Sequence, residues 1–405
     1  MRHFILTACF LCVLQWTALA QYSIEGRIVS QDGRAPLPFA NVFLSNTTRG
    51  VQADDKGKFQ LNNLSAGVYE LVASYLGHET FTIRIRPDTL HKALLIMLTP
   101  KANELQEVKI KRLRNGYELY FPLFKELFIG QTGFSNDCKL KNPKALWFSE
   151  SDDKLTLSVN ADDVLVIENK ALGYVIKYQL EDFTYNFKSH YLSVLGYPFF
   201  EEMSTKSEKQ YKRWAENRRK AYLGSMQHFM KCLLHDSTHQ AGYTMYKLIR
   251  QPKKMMMLDK IPPKKDSLGR IITVGDPQKV WMDSTDLALR TDSTLRKVPA
   301  SPFSNYVQYL VKNPLVPSSL FKQEGAQAQL TFKDYLYVVY QKEDEEPQFL
   351  ERNLGKLPQV SIAFLIESFA IIEANGYLQD PLALLVEGRW GREKMGELLP
   401  IDYKP

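Results

Sequence analysis

The chain has 405 residues, of which 44% are hydrophobic and 24% charged, and its formal net charge is +7. This length and an ordinary apolar content indicate a globular protein of about two or three domains. A mild positive charge spread over so long a chain is not a signature of nucleic-acid binding, so we expect no nucleic-acid partner.

The first twenty residues have the three parts of a cleavable secretion signal. Arg2 gives a short basic start, Phe4 to Leu14 is almost wholly apolar, and Ala18-Leu19-Ala20 is the small-x-small pattern that signal peptidase accepts. We therefore expect a mature chain that begins at Gln21 and is exported, to the periplasm or the outer membrane. No later segment has the ~18 continuous apolar residues of a membrane helix, so we expect no transmembrane helix after cleavage.

Residues 21–100 consist of short apolar runs that are separated by turn residues. The runs begin at Ile24, Phe39, Phe59, Val68, Thr80 and Ala93, and Gly, Asp or Pro stands between them. Strands at such regular spacing predict an all-β sandwich with one small core. Phe59 and Tyr69 are the core positions that the pattern singles out.

The turn and core positions of this segment also follow a recognisable order. They are Gly26, Asp32-Gly33, Pro36 to Val42, Gly50, Asp54, Gly57-x-Phe59, Gly67-x-Tyr69-x-Leu71 and Ser74-Tyr75-Leu76-Gly77. In this order the segment resembles the carboxypeptidase regulatory-like domain, whose fold is a transthyretin-like sandwich of about seven strands. The resemblance implies a folding, docking or spacer module that has no peptidase site of its own.

The rest of the chain predicts a linker strand in residues 101–112 and a larger α+β domain in residues 113–405. Leu105 to Ile110 alternates like one more strand, and Tyr117 to Phe128 has helical spacing, although Pro122 favours a kink or a late start. Further strands are predicted at 154–159, 164–168, 174–180, 328–332, 335–340, 360–372 and 382–387, and Gly388-Arg389-Trp390-Gly391 leads into a short helix. The predicted fold class is mainly β with some α.

One long helix is predicted from about Lys206 to Leu234. Thr205-x-x-Glu208 fits a capping box, and apolar residues recur at three- and four-residue steps along one face. Its lysines and arginines lie largely off that face. Such a helix can bind a membrane or nucleic acid, but packing on a sheet is the interpretation that we favour.

Residues 251–302 are polar and rich in Lys, Asp and Pro, and they predict a long excursion with one hairpin. Several tripeptides resemble the Asp-Ser/Thr acceptor of O-glycosylation, and the sequence leaves their modification open. They start at Asp88, Asp236, Asp266, Asp283 and Asp292.

Three short sequence segments resemble a family that forms the second domain of exported bacterial proteins. This family has no assigned activity. The segments are Asn169 to Tyr174, Ala221 to Ser225 and Leu398 to Tyr403. The resemblance implies no chemistry for this part of the chain.

One pattern has the spacing of metal ligands. Cys232, His235 and His239 form Cys-x-x-His-x-x-x-His, and two histidines four residues apart share one face of a helix. Phe229 and Leu233 flank that face and favour a buried thiol, so we expect structural histidines, no metal site and no cofactor. Cys138 is the other cysteine of the mature chain, and one disulfide or two separate buried thiols both fit the sequence.

The familiar catalytic motifs are missing from the sequence. None of the seven histidines is followed three residues later by Glu, so the His-x-x-Glu of a zinc carboxypeptidase is absent. There is no Gly-x-Ser-x-Gly elbow and no glycine-rich phosphate loop. Ser151-x-x-Lys154, Glu201-Glu202 and Glu343 to Glu346 are interpreted as turn, helix-start or loop charges.

These patterns favour a non-catalytic exported protein of the cell envelope. In this hypothesis the sandwich serves as a docking module or as a spacer. The second domain binds an envelope or nutrient partner, such as an envelope protein or a glycan. The alternative hypothesis is a hydrolase with an unfamiliar active site in the second domain. The sequence leaves the oligomeric state open.

Overall fold

A computed structural model describes residues 21–101, 112–258, 280–299, 304–324, 327–350 and 355–405. The predicted signal peptide, the predicted linker strand and residues 259–279 and 300–303 of the polar excursion lie outside the described residues. The chain forms two compact units: unit 1 holds the described residues of Met1–Ala221 and Lys394–Pro405, and unit 2 those of Tyr222–Glu393. No described helix has both the length and the apolar character needed to cross a membrane. The domain boundaries predicted from the sequence remain predictions.

The first seven strands of unit 1 form a sandwich of two sheets. They are β1 Tyr22–Ser30, β2 Asn41–Leu44, β3 Gly50–Gln52, β4 Lys58–Leu64, β5 Tyr69–Ser74, β6 Phe81–Ile85 and β7 Leu94–Leu98. One sheet has the order β4-β1-β7 and the other β3-β2-β5-β6. β7 runs parallel to β1, and the other pairs are antiparallel. The sequence pattern predicts six of these strands but not the three-residue β3.

The core of the sandwich explains why position 26 is glycine. A Cβ on Gly26 would lie 2.5 Å from the carbonyl oxygen of Leu94 and 2.7 Å from the ring of Phe59. Glycine therefore permits the close approach of β1 to β7 and to this ring. Phe59 is buried in the core as predicted, and Tyr69 packs against the same core while only half-buried.

A six-stranded sheet makes up the next part of unit 1. Its strands are β8 Cys138–Leu140, β9 Leu146–Glu150, β10 Thr156–Ala161, β11 Leu165–Asn169, β12 Tyr174–Asn186 and β13 Tyr191–Glu202. β12 pairs with β11 near its start, with β10 at its end and with β13 along its length. β13 was not predicted, because its residues are an almost continuous apolar run that includes Pro198 and shows no alternation.

Helix α1, Gly116–Ile129, packs aromatic side chains on this sheet. Its Phe124 and Phe128 are fully buried. The ring centroid of Phe124 lies 5.0 Å from that of Phe183, and the centroid of Phe128 lies 5.0 Å from that of Tyr178. The predicted helix is confirmed, and Pro122 lies inside it instead of marking a late start.

The single long helix predicted from Lys206 to Leu234 is wrong. The structure has α2 at Glu208–Tyr222 and α3 at Met226–Leu234. Gly224 separates them with a φ of +79°, a left-handed conformation that glycine adopts without penalty. Ser225 then caps α3 by accepting a hydrogen bond from the backbone of His228. The apolar period continues across the break, which is why it suggested one helix.

The capping box predicted at Thr205 is also wrong. The side chain of Ser207 accepts a hydrogen bond from the backbone nitrogen of Gln210 at 3.3 Å. Ser207 therefore caps α2, while the hydroxyl of Thr205 accepts from the backbone nitrogen of Ser207 at 3.1 Å.

Unit 2 is built on a second six-stranded sheet. The described strands of unit 2 are β14 Tyr243–Pro252, β15 Met255–Leu258, β16 Val280–Asp283, β17 Leu295–Lys297, β18 Tyr306–Val311, β19 Phe321–Glu324, β20 Gln327–Leu330, β21 Tyr335–Asp344, β22 Pro358–Leu365, β23 Ala370–Ile372 and β24 Leu384–Gly388. The large sheet has the order β17-β18-β14-β21-β22-β24, the small sheet β19-β20-β23, and β15 pairs with β16. The helices after α3 are α4 Thr238–Ala241, α5 Ser284–Arg290 and α6 Arg389–Arg392.

The core of unit 2 lies between α3 and the large sheet. Phe229 and Leu233 of α3 share one buried cluster with Leu336 and Val338 of β21 and with Trp390 of α6. The predicted strand at 360–372 is two strands, β22 and β23. The short helix predicted to follow Gly388 to Gly391 is α6, which begins earlier, at Arg389. The described part of the polar excursion contains the β15–β16 pair, and also α5 and β17, which were not predicted.

Single turns of 3-10 helix complete the described elements, at Ser135–Asp137, Pro143–Ala145, Pro317–Ser319, Pro347–Phe349 and Pro381–Ala383. The chain is mainly β with some α, and its amino-terminal sandwich precedes a larger β-rich region with helices, as predicted.

Candidate functional site

The turn between β2 and β3 joins the sandwich to the rest of unit 1 by backbone hydrogen bonds. The N–H of Asn46 donates to the carbonyl of Pro198 at 2.7 Å, and the N–H of Phe200 donates to the carbonyl of Thr47 at 3.0 Å. The N–H of Ile401 donates to the carbonyl of Asn46 at 2.7 Å. This turn therefore covers part of the open edge of β13, which would otherwise expose unpaired backbone groups.

Side chains of the sandwich reinforce this junction. Gly50, Phe43, Val72 and Thr82 lie side by side across the four-stranded sheet, on the face that points away from the sandwich core. Phe43 and Val72 are nevertheless buried, and the ring of Phe43 lies 5.3 Å from that of Phe199 in β13. Both faces of this sheet are therefore covered, one by the sandwich core and the other by β13.

Helix α2 is fixed to the loop between β11 and β12 by three side chains. The indole nitrogen of Trp214 donates to the carbonyl of Lys170 at 2.9 Å, and Asn217 donates to that of Ala171 at 2.8 Å. Arg218 donates to the carbonyl of Leu172 at 2.7 Å. These bonds use carbonyl groups that a loop cannot satisfy by itself. The basic helix is thus held on the loop between β11 and β12, whereas the favoured interpretation predicted packing on a sheet.

A cleft of about 560 Å³ opens in unit 1 beside these contacts. Its wall combines the β2–β3 turn of the sandwich, the adjoining ends of β12 and β13, one face of α2 and the segment 400–405. We name it the Arg218 cleft. Its polar and aromatic lining includes Thr48, Arg49, Tyr174, Glu202, Tyr211, Trp214, Glu216, Arg218, Arg219, Asp402, Tyr403 and Lys404.

Ion pairs and hydrogen bonds hold the wall of the Arg218 cleft. The carboxylate of Asp402 accepts hydrogen bonds from the backbone nitrogen of Thr48 at 3.2 Å and from its hydroxyl at 2.6 Å. Arg49 lies 3.7 Å from the same carboxylate. Arg218 stacks on Tyr174, with its guanidinium carbon 3.9 Å from the ring centroid, and donates to Glu202 at 2.9 Å.

Two tyrosines of the cleft stay protonated. Burial raises the pKa of Tyr174, and the neighbouring Arg218 offsets part of that rise. Burial also raises the pKa of Tyr403, against the opposing effect of Arg218 and Arg219. Both phenols therefore remain neutral hydrogen-bonding groups near neutral pH.

Two of the short sequence segments that resemble the second-domain family, 169–174 and 398–403, lie together beside this cleft. The side chain of Asn169 is fully buried, accepts from the backbone of Leu172 at 3.0 Å and donates to the carbonyl of Gly396 at 2.9 Å. The loop at 169–174 and the segment at 398–403 are thereby brought together. Sequence reasoning noted both segments but had no means of pairing them.

Comparison with known proteins identifies the sandwich. A protein-family model described as "CarboxypepD_reg-like domain" matches residues 24–110. Residues 24–110 are a CarboxypepD_reg-like domain. The resemblance found in the sequence is confirmed, and the turn that enters the Arg218 cleft belongs to this domain. A comparison with curated proteins gave no match.

Solved structures give only a faint likeness. One is a crystal structure of a variant of BcpA, the major pilin subunit of Bacillus cereus, with 9% identity and a TM-score of 0.16, covering 91% of this chain and 67% of that chain. The crystal structure of BcpA itself has 8% identity and a TM-score of 0.15, covering 91% of this chain and 85% of that chain. At these TM-scores neither structure indicates the fold or the role of this chain.

The predicted metal candidates lie in unit 2, away from the CarboxypepD_reg-like domain in sequence. Cys232 is in α3, His235 ends that helix, and His239 is in the separate helix α4. Asp236 between them has a φ of +49°, which breaks the helix. The expected common helical face is therefore wrong. Within the described ranges, no group of three His, Cys, Asp or Glu side chains is placed to hold a metal ion.

Cys138 and Cys232, the two cysteines among the described residues, are free thiols. Burial raises the pKa of Cys138 to about 12 and also raises that of Cys232. Of the two alternatives left open by the sequence, the structure has two separately buried thiols.

Sequence reasoning missed a buried polar group in unit 2. His228 is 9% exposed, and its Nδ1 accepts hydrogen bonds from the hydroxyl of Tyr243 at 2.8 Å and from the backbone nitrogen of Gly224 at 3.3 Å. Burial lowers the pKa of His228 to about 4, helped by Lys342 and Lys231. Gly224-Ser225 followed three residues later by His228 was the available signal, since it marks a turn and a new helix start.

The remaining charged motifs also have structural partners. Arg392 is paired with Glu345, and Arg389 lies 3.9 Å from Glu346, so these carboxylates of the acidic run are more than loop charges. Ser151 donates to Asp153 at 2.6 Å in an exposed turn, which agrees with its interpretation as a turn residue.

Proposed function

We propose that this chain is a non-catalytic binding protein of the cell envelope and that the Arg218 cleft is its binding site. The CarboxypepD_reg-like domain packs on the rest of unit 1 and forms part of the wall of that site. The observation that carries the proposal is the contact of Asp402 with Thr48 and Arg49, which fixes the turn of the domain at the cleft. The secretion-signal pattern of residues 1–20 supports the envelope as the location.

The engagement of two of the three carboxylates of the cleft, Glu202 and Asp402, favours binding over catalysis. Glu202 is held by Arg218, and Asp402 is held by Thr48 and Arg49, so both carboxylates serve the wall of the cleft. Lys177 pairs with Glu201 at 2.6 Å beyond the cleft. The buried His228 accepts two hydrogen bonds inside unit 2. These are the arrangements of structural groups, since a catalytic base has to reach a substrate.

The proposal predicts that a ligand raises the unfolding temperature of the chain and is released from the cleft chemically unchanged. Four classes of probe are added separately to the chain from Gln21: neutral oligosaccharides, acidic oligosaccharides, peptides and phospholipid headgroups. We expect at least one class to stabilise the chain, because a ligand that binds the folded state shifts unfolding by mass action. Mass spectrometry should recover each probe intact.

A matched pair of variants locates the site. Ala215 and Ala288 are both exposed alanines on helices, and of the two only Ala215 lines the Arg218 cleft. Ala215→Trp should abolish the stabilisation by filling the cleft, whereas Ala288→Trp should preserve it. The proposal is wrong if no class of probe stabilises the chain or if Ala215→Trp binds normally. Cleavage of a probe would establish the alternative, a hydrolase.

A further inference from the structure

We infer that the Arg218 cleft binds a short neutral oligosaccharide. This inference rests on the proposed binding function and adds the chemical class of the ligand. Three observations carry it: the balance of charge in the cleft, the groups left without ion-pair partners, and an exposed aromatic ring.

The charges of the cleft nearly cancel. Its cations are Arg49, Arg218, Arg219 and Lys404, and its carboxylates are Glu202, Glu216 and Asp402. A site for a strongly anionic or cationic ligand has a clear excess of the opposite charge. An apolar ligand would leave these charged groups desolvated and unpaired, at a high cost. The lining therefore fits a polar ligand without net charge.

Both donors and acceptors are available in the cleft. Among the described residues, Arg219, Glu216 and Lys404 form no ion pair, while the other charged groups of the cleft are engaged in its wall. The guanidinium and ammonium groups donate hydrogen bonds and the carboxylate accepts them. A sugar hydroxyl both donates and accepts, so a polyhydroxylated ligand can use all three groups at once.

An aromatic ring stands at the edge of the cleft. Tyr211 is 65% exposed, although large aromatic side chains are usually buried, and it lies on the cleft face of α2. The apolar face of a pyranose ring can stack on such a phenol ring. The cleft volume of about 560 Å³ lies within the range of small-molecule sites and admits a short oligosaccharide.

The test uses maltotriose, cellotriose and mannotriose as neutral probes, trigalacturonate as an acidic probe, and a tripeptide. Binding to the chain from Gln21 is measured by isothermal titration calorimetry. We expect at least one neutral trisaccharide to bind. Tyr211→Ala should weaken that binding by roughly tenfold or more, because the stacking surface is lost. Tyr191→Ala removes a tyrosine that is 39% exposed on β13 and does not line the cleft, and it should leave the affinity unchanged.

The outcomes separate this inference from the proposed function. Binding of trigalacturonate or the tripeptide alone, blocked by Ala215→Trp, would overturn the oligosaccharide inference and leave the proposed function standing. Equal affinities of Tyr211→Ala and Tyr191→Ala for a neutral trisaccharide would also overturn it. If no probe of any class binds, both are wrong.

Discussion

Replacing Phe59 by Ala is expected to lower the free energy of unfolding of unit 1 by about 3 to 5 kcal/mol. The ring is buried in the core of the sandwich and lies next to Gly26, which has no side chain that could fill part of the space. Differential scanning calorimetry of the chain from Gln21 measures the loss. The effect is large because the substitution removes buried apolar surface and also leaves a cavity in the core.

The neighbouring Gln60 is the matched control for Phe59. It lies on the same strand and is exposed, so Gln60→Ala should change the free energy of unfolding by no more than ~0.5 kcal/mol. A loss below ~1 kcal/mol for Phe59→Ala would contradict the assignment of this ring to the core.

Acidification should destabilise unit 2 through His228. Burial holds the pKa of His228 at about 4 in the folded chain, against an ordinary value of 6.5. Between these two pKa values the unfolded chain binds a proton that the folded chain does not bind. The free energy of unfolding therefore falls as the pH drops from about 6.5 to about 4. The loss contributed by this one group is about 3 kcal/mol, and it is complete below the folded pKa.

Urea unfolding at pH 7, 5.5 and 4 measures this effect. His228→Asn removes the titrating ring and can keep an oxygen acceptor near the position of Nδ1, which receives the hydrogen bond of Tyr243. The variant should be less stable at pH 7 but should lose less stability on acidification than the natural chain. An equal acid sensitivity of the two chains would show that His228 is not responsible.

The CarboxypepD_reg-like domain was largely predictable because its signals are local. Turns such as Asp32-Gly33 separate its strands, and the alternation within each strand shows which side chains face the core. Burial of Phe43 and Val72 on the opposite face was not predictable, since it depends on contact with β13, more than a hundred residues away. An isolated fragment of residues 21–100 would expose both side chains.

The helical region was harder because periodicity does not show interruptions. The apolar period of α2 continues into α3, although Gly224 turns the chain between them. The pattern of Cys232, His235 and His239 failed for the same reason: its spacing assumed a continuous helix, but the helix ends before His235, and Asp236 has a positive φ. Spacing indicates a shared face only where the backbone remains helical.

The Arg218 cleft could not be predicted from the sequence at all. Thr48, Tyr174, Arg218 and Asp402 come from four distant segments, and only tertiary contacts such as that of Asn169 with Gly396 assemble them. No local pattern marks such a site. The segments 169–174 and 398–403 stood out in the sequence, but nothing in the sequence showed that they lie together.

Hydrogen–deuterium exchange tests the central claim most directly, namely that the CarboxypepD_reg-like domain forms part of a binding site. Exchange is compared with and without the probe that stabilises the chain. We predict slower exchange in three segments together: the turn at Thr48 and Arg49, helix α2, and residues 400–404. Slower exchange confined to unit 2, or unchanged exchange at Thr48 and Arg49, would contradict the account.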